Sequence, residues 1–152
     1  DRKILILNSY PDAVYIKDSD TIYFRDLPLL SSMFDGIDTL FRDATARETQ
    51  QFLSLNFISL ADGFDHTKVK KLNRKKIVKA QQIFHQFSPT DKKNLCTYIR
   101  KYCPDLNYDR RAGSFSISSD SQLRKILYGI DQRYYTTIVN PEKRIANSII
   151  SI

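Results

Sequence analysis

The spacing of hydrophobic positions changes near residue 26, and this change predicts two kinds of structure. Before it, three short runs of aliphatic, β-branched and aromatic side chains alternate with turn-forming residues such as Pro11 and the polar stretch 18–20. Runs of this length between turn residues predict strands, and two neighbouring ones predict a hairpin. We therefore expect a β-meander with strands at residues 3–7, 13–17 and 21–24.

From residue 26 the apolar positions recur every three to four residues, which predicts amphipathic helices. Asp26 followed by Pro28 predicts the start of the first helix, and Ser88 with Asp91 three residues later predicts another start. Thr67 is the expected N-cap of a basic helix, within which Asn73 is a candidate break. The predicted helices are residues 26–36, a short turn at 37–41, then 44–59, 67–85, 88–102 and, with Ser119 as its cap, 121–130.

Alternating residues predict a second hairpin at about 106–117, where Gly113 can adopt the positive φ that a tight turn needs. Residues 134–139 are expected to be extended, with a turn at Asn140-Pro141. The predicted fold class is α+β: a small N-terminal β-meander, about five helices and a separate β-hairpin near the C-terminus. We expect a single domain over 1–152, with the meander at 1–25 and a helical part at 26–152.

The net charge of +7 is unevenly distributed. Residues 1–65 carry six basic and eleven acidic side chains, a balance of −5, whereas residues 66–152 carry eighteen and six, a balance of +12. Such asymmetry predicts an anionic partner for the second half: nucleic acid, an anionic membrane surface or an acidic protein. The alternative is that the acidic part of the chain docks on the basic part.

The basic helix carries the densest charge, with seven cations and no acid between Lys68 and Lys79. At 100° per residue, lysines one turn apart lie opposite the apolar positions and form a stripe of about 16 Å, long enough to meet several phosphates of duplex DNA. The turn of the second hairpin adds two arginines. The alternative is an ordinary solvated face. The predicted nucleic-acid contacts are Lys68, Lys71, Arg74, Lys75, Lys79, Arg110 and Arg111.

Further cations at Lys92, Lys93, Arg100 and Lys101 lie on the next predicted helix, outside that set of contacts. Contacts to phosphate need only cations and amide donors, and no base-reading motif is present. Binding is therefore expected to depend on the DNA backbone and to be weakly selective for sequence.

Catalytic chemistry has little support in the sequence. Cys96 and Cys103 face one side of a helix too far apart for a disulfide, and they are expected to be reduced core thiols. No phosphate-cradling glycine loop or zinc-ligand spacing is present. We predict no catalytic residue, no metal and no cofactor, so the protein is not expected to be an enzyme. A metal-dependent nuclease is the alternative, with candidate carboxylates at Asp91 or at Asp12, Asp18 and Asp20.

The sequence begins at Asp1, and its only methionine is Met33, so we expect a C-terminal fragment of a longer chain. No run of about eighteen apolar residues is present, so no membrane span is predicted.

The order of segments from residue 21 onwards resembles the KwaB-like domain family, the C-terminal domain of the B subunit of the Kiwa anti-phage defence system of bacteria. The segments that carry the resemblance are TIYFRD, LPLLSSMFDGIDTLFRDA, KKLNRKKIVKAQQIF, PTDKKNLCTYIRKYCPDLNYDRRAGSFSI, QLRKILYGID and YYTTIVNPEKRIANS. The family usually has a Phe-Glu pair in the first helix, where this chain has Leu30-Ser31.

The resemblance implies a cytoplasmic bacterial protein that binds DNA and acts with a membrane-embedded partner subunit, which would recruit it to the inner membrane. It implies no catalytic residue that can be placed on this chain. The alternative function is a protein-interaction or oligomerisation module, either a homo-oligomer or a module docking the partner subunit, with no role for nucleic acid.

Overall fold

The computed structural model describes residues 10–19, 21–34 and 42–147, and the chain divides into two compact units, residues 1–41 and 42–152. The division falls after the first helix rather than at the end of the predicted meander. The single domain expected over 1–152 stays a prediction. The strand predicted at 3–7 and the helical turn predicted at 37–41 lie outside the described residues.

The first unit contains the predicted hairpin. Strands β1 (Ala13–Ile16) and β2 (Thr21–Phe24) are antiparallel, with Ala13 opposite Phe24. Helix α1 (Leu27–Met33) follows, with Pro28 in its first turn as predicted, because proline lacks only an N–H that this position leaves unpaired.

The second unit contains four helices among its described residues: α2 (Ala46–Leu53), α3 (Lys71–Gln86), α4 (Pro89–Tyr102) and α5 (Asp120–Ile130). Capping side chains fix three of their starts. Thr45 and Ser88 each form a capping box with an acid three residues later, and Ser119 Oγ accepts the N–H of Gln122 at 3.3 Å.

A three-stranded sheet runs through the second unit. Strand β5 (Ser114–Ile117) is central, with β4 (Tyr108–Asp109) antiparallel on one side and β3 (Ile58–Leu60) parallel on the other. A separate pair, β6 (Tyr134–Thr136) and β7 (Lys143–Ile145), forms a hairpin after α5. The predicted α+β class is confirmed.

The core of the second unit lies between the helices and the sheet. Phe52, Ile77, Ile99 and Phe115 are fully buried, each from a different element. Gly129 on α5 lies against Ile99 on α4, and a Cβ at this glycine would overlap the isoleucine side chain. The absence of a side chain here therefore lets the two helices pack closely.

The helix predicted over 44–59 was too long. It ends at Leu53, and its last two residues, Ile58 and Ser59, belong instead to β3, which pairs with β5 in parallel register from Ile58 opposite Phe115. The apolar spacing of 52–58 is compatible with a helix, but the β-branched Ile58 gains a central strand partner that lies far along the chain.

The basic helix was predicted to start too early. The carboxylate of Asp65 accepts the N–H of Thr67 at 2.7 Å and caps a short 3-10 turn, His66–Lys68. Helix α3 begins only at Lys71, so Thr67 is not its N-cap. Asn73 does not break α3: its buried amide donates to the carbonyl of Asp120 at 2.7 Å and ties α3 to the start of α5.

The second hairpin occurs where it was predicted but is not separate, because β5 also pairs with β3.

Candidate nucleic-acid interface

The predicted cationic stripe is divided by the fold. Lys68 lies in the 3-10 turn outside helix α3, where its ammonium donates to the carbonyl of Gly63. The Lys68 ammonium is therefore directed towards the protein and does not align with the lysines of α3.

Lys79 is exposed but forms an ion pair with Asp131. Its Nζ lies 2.8 Å from Asp131, and the same carboxylate binds Arg133 Nε at 2.5 Å. Burial raises the pKa of Asp131, but the hydrogen bonds from Lys79 and Arg133 together lower it by more. The net pKa therefore lies below its usual value. This carboxylate therefore remains charged and reduces the positive field at the end of the stripe.

Two lysines of the stripe remain available. Lys71 and Lys75 are exposed, lie one turn apart on α3, and make no ion pair or side-chain hydrogen bond with any other residue that the structure describes. Arg74 is half-buried, and its carbonyl accepts the N–H of Ala44 at 3.2 Å. Lys76, beside them, lies over the ring of Tyr128, 5.0 Å from its centroid.

Arg110 and Arg111 occupy the exposed turn between β4 and β5. The carboxylate of Asp109 accepts the N–H of Arg111 at 2.7 Å, and Gly113 has a φ of 68°, so the turn is well defined. This turn lies at the start of β5. The start of α3 lies past the other end of β5, where the N–H of Lys70 donates to Asp120 at 2.8 Å. The fold therefore does not bring the two predicted contact regions together at that point.

A different set of cations does converge with the arginine turn. A groove of about 500 Å³ lies between the first half of α4 and this turn, with Lys92 and Lys93 on one side and the backbone of Ala112 and Gly113 on the other. Its apolar lining comes from Phe57, Phe84, Cys96 and Tyr108. The groove is thus lined by aromatic side chains together with two lysines.

Aromatic rings support two of these cations. The Lys92 ammonium lies 4.9 Å from the centroid of Phe84, and the Arg100 guanidinium lies 4.7 Å from that of Tyr108, a groove residue. Such stacking positions a cation while leaving its charge uncompensated. We call Lys92, Lys93, Arg100, Arg110 and Arg111 the α4–hairpin surface.

The acids nearest to this surface in sequence have local structural roles. Asp91 belongs to the capping box of α4, with its carboxylate 2.6 Å from Ser88 Oγ, and lines a different cavity with Asn94 and Tyr98. Asp109 accepts backbone N–H groups of the turn. None of the five surface cations forms an ion pair within the described ranges 10–19, 21–34 and 42–147.

The cations of α4 lie outside the set of contacts that the sequence predicts. Lys93 and Arg100 are seven residues apart, which places them on one helix face, and this signal was available. Their proximity to the arginine turn was not, because it depends on how α4 packs beside β4.

Two observations on the described residues bear on catalysis. Cys96 and Cys103 are free and buried, and burial raises the pKa of both thiols, which disfavours the reactive thiolate. No group of three potential metal ligands occurs among the residues that the structure describes. Within the same residues, no helix has the length and apolar character needed to cross a bilayer.

Comparisons of the chain with models of protein families, with curated proteins and with solved structures find no match. The resemblance to the KwaB-like family, and the functions that it implies, therefore stay predictions.

Proposed function

We propose that this protein binds DNA through its phosphate backbone, and that the α4–hairpin surface is the main contact. The observation that carries this proposal is a groove lined by Lys92 and Lys93 of α4 and by the turn that carries Arg110 and Arg111, with Arg100 stacked on the groove residue Tyr108. Two of the five cations, Lys92 and Arg100, lie over aromatic rings, and none of the five has a carboxylate partner among the described residues. Lys71 and Lys75 on α3 lie outside this surface and contribute through the long-range field.

The chemistry of these residues favours contact to phosphate over base reading. Lysine and exposed arginine side chains supply charge and N–H donors that any duplex can accept, so they position DNA without specifying its sequence. The expected binding is weakly sequence-selective and strongly salt-dependent.

The biological setting is part of the same proposal and rests on the sequence resemblance alone. In this setting the domain is a non-enzymatic effector of a bacterial anti-phage defence protein. It acts in the cytoplasm and is recruited to the inner membrane by a membrane-embedded partner subunit.

The test is a fluorescence-anisotropy titration of a labelled duplex at several salt concentrations. If three to five phosphates are contacted, log Kd should rise by about 2.7 to 4.5 for each tenfold increase in salt, since each phosphate contributes about 0.9. A duplex of unrelated sequence should bind with similar affinity. A flat salt profile, or no binding at low salt, contradicts the proposal.

A second candidate function is protein interaction, because the hairpin of the first unit exposes apolar side chains. Val14, Ile16, Tyr23 and Phe24 are 44%, 43%, 61% and 43% exposed. Apolar side chains clustered on one hairpin are typical of docking sites. Light scattering after size exclusion discriminates: a stable oligomer that does not bind DNA favours this function. No comparable observation favours a nuclease, since Asp91 serves as a helix cap.

A further inference from the structure

The loop between β6 and β7 presents two aliphatic side chains to solvent. Ile138 is 97% exposed and Val139 is 79% exposed, the highest values among the exposed large hydrophobic residues that the structure describes. We call these two residues the aliphatic tip. A single exposed aliphatic side chain is ordinary, but adjacent ones at the end of a projecting hairpin form a small apolar surface that water solvates poorly.

The loop that carries the aliphatic tip is closed by its own hydrogen bonds. The N–H of Thr137 donates to the carbonyl of Glu142 at 3.0 Å, and the Thr137 hydroxyl donates to the carbonyl of Asn140 at 2.8 Å. Asn140 adopts a φ of 51°, a conformation that asparagine tolerates better than most residues. The outward position of the tip is therefore built into the turn.

The base of the hairpin is anchored in the core. Tyr134 is buried, and its hydroxyl donates to the carbonyl of Lys125 at 3.0 Å. Thr136 lies 3.0 Å from the hydroxyl of Tyr102, oxygen to oxygen. The hairpin is thus a firmly held projection with an apolar end.

Cations lie directly behind the tip. Lys143 donates to the carbonyl of Lys101 at 2.6 Å, and both ammonium groups lie over the ring of Tyr102, at 5.9 and 5.4 Å from its centroid. The acid next to the tip, Glu142, is paired with Arg144 at 2.7 Å. The charge left behind the tip is therefore positive.

This arrangement fits a lipid surface better than a protein partner. A specific protein interface needs roughly 800 Å² from each side, far more than two aliphatic side chains supply. A bilayer accepts a convex apolar tip a few ångströms into its acyl boundary while anionic headgroups meet the cations behind it. Tyr135 and Ile145 are 44% and 50% exposed on the same hairpin and would lie near the headgroups.

We infer that the β6–β7 hairpin inserts Ile138 and Val139 into an anionic lipid surface, with the positive charge of Lys101 and Lys143 attracting the headgroups. This contact is direct and independent of the DNA-binding surface.

The chain contains no tryptophan, so Ile138→Trp introduces a single fluorescent reporter at the tip. With vesicles of phosphatidylcholine and phosphatidylglycerol, its emission should shift to the blue and be quenched by brominated acyl chains. A tryptophan at Leu72, which is 64% exposed on α3, is the matched control and should show neither change. An unshifted, unquenched tip tryptophan overturns the inference.

Vesicle sedimentation separates the two components of the contact. Ile138→Ser with Val139→Ser should lower partitioning at least tenfold, and Lys143→Gln should lower it about fivefold, the effect of one cation near an anionic surface. Lys92→Glu with Lys93→Glu should leave most of the partitioning into vesicles unchanged. A loss of DNA binding can therefore be distinguished from a loss of lipid binding. Equal binding to vesicles of phosphatidylcholine alone, or binding indifferent to the serine pair, overturns the inference.

Discussion

Helix α3 and helix α4 both carry lysines on one face, but the folded protein gives these lysines different neighbours. On α3, Asp131 from the end of α5 neutralises Lys79, and Lys68 before the helix turns back to Gly63. On α4, the neighbours of Lys92 and Arg100 are aromatic rings, which hold a cation without cancelling it. The number of cations in a stretch of sequence thus does not give the net charge of the folded surface, because acids far along the chain can form ion pairs with some of those cations.

The largest expected effect comes from reversing equal numbers of charges in the two regions. Lys92→Glu with Lys93→Glu should weaken duplex binding on the order of a hundredfold, since each charge-assisted contact is worth about a factor of ten. Lys71→Glu with Lys75→Glu, the matched pair on α3, should weaken it by only about threefold, through the long-range field. Anisotropy titrations at one salt concentration measure both, and circular dichroism checks the fold. The reverse ranking would move the main contact to α3.

A smaller effect is expected where charge is kept and stacking is lost. Arg100→Lys removes the planar group that lies over Tyr108, so the cation should become less ordered and binding should weaken about three- to tenfold. Arg124→Lys on α5, whose guanidinium lies 3.8 Å from Asp120, is the control and should bind DNA like the wild type. Equal binding by both variants would show that charge alone matters at this surface.

Removing Asp131, which pairs with Lys79, tests whether this ion pair reduces the positive charge of α3. Asp131→Asn should destabilise the fold by about 1–2 kcal/mol, because Lys79 and the mostly buried Arg133 lose their partner. Since the pKa of Asp131 is lowered in the folded protein, this stabilisation is present above the unfolded pKa of about 4 and is lost as the pH falls further.

Urea unfolding across this pH range is the measurement for Asp131→Asn. The difference in free energy of unfolding between wild type and variant should shrink towards acid pH, and DNA binding at neutral pH should rise about twofold as Lys79 is released. A pH-independent difference would mean that the ion pairs are not its cause.

The smallest effect is expected at Lys68. Lys68→Ala removes the hydrogen bond to Gly63, which should cost at most about 1 kcal/mol in thermal or urea unfolding. DNA binding should change by less than about twofold, because this cation is directed towards the protein. A large loss of binding would restore Lys68 to the predicted contact set.

Local signals predicted the elements well where local interactions determine them. The Ser88–Asp91 box, the Ser119 cap and the turn at 110–113 all form as expected, since each depends on residues within four positions. Strand β3 was missed because its pairing partner lies far along the chain.

The same limit applies to the candidate site. The two arginines of the turn and the lysines of α3 were found from composition and helical spacing. The pairing of Lys79 with Asp131 and the stacking of Arg100 on Tyr108 join different elements, so no spacing rule indicates them.

The parallel pairing of β3 with β5 has a consequence for biosynthesis. During translation β3 leaves the ribosome well before its partner, and residues 61–113, which include α4 and the arginine turn, are made in between. The nascent chain therefore holds β3 without its partner until Ser114–Ile117 emerges. Pairing of β5 with β3 then completes the sheet beside the groove. Chains released before that point would expose an unpaired strand edge to chaperones and proteases, and the arginine turn would lack the strand that holds it beside α4.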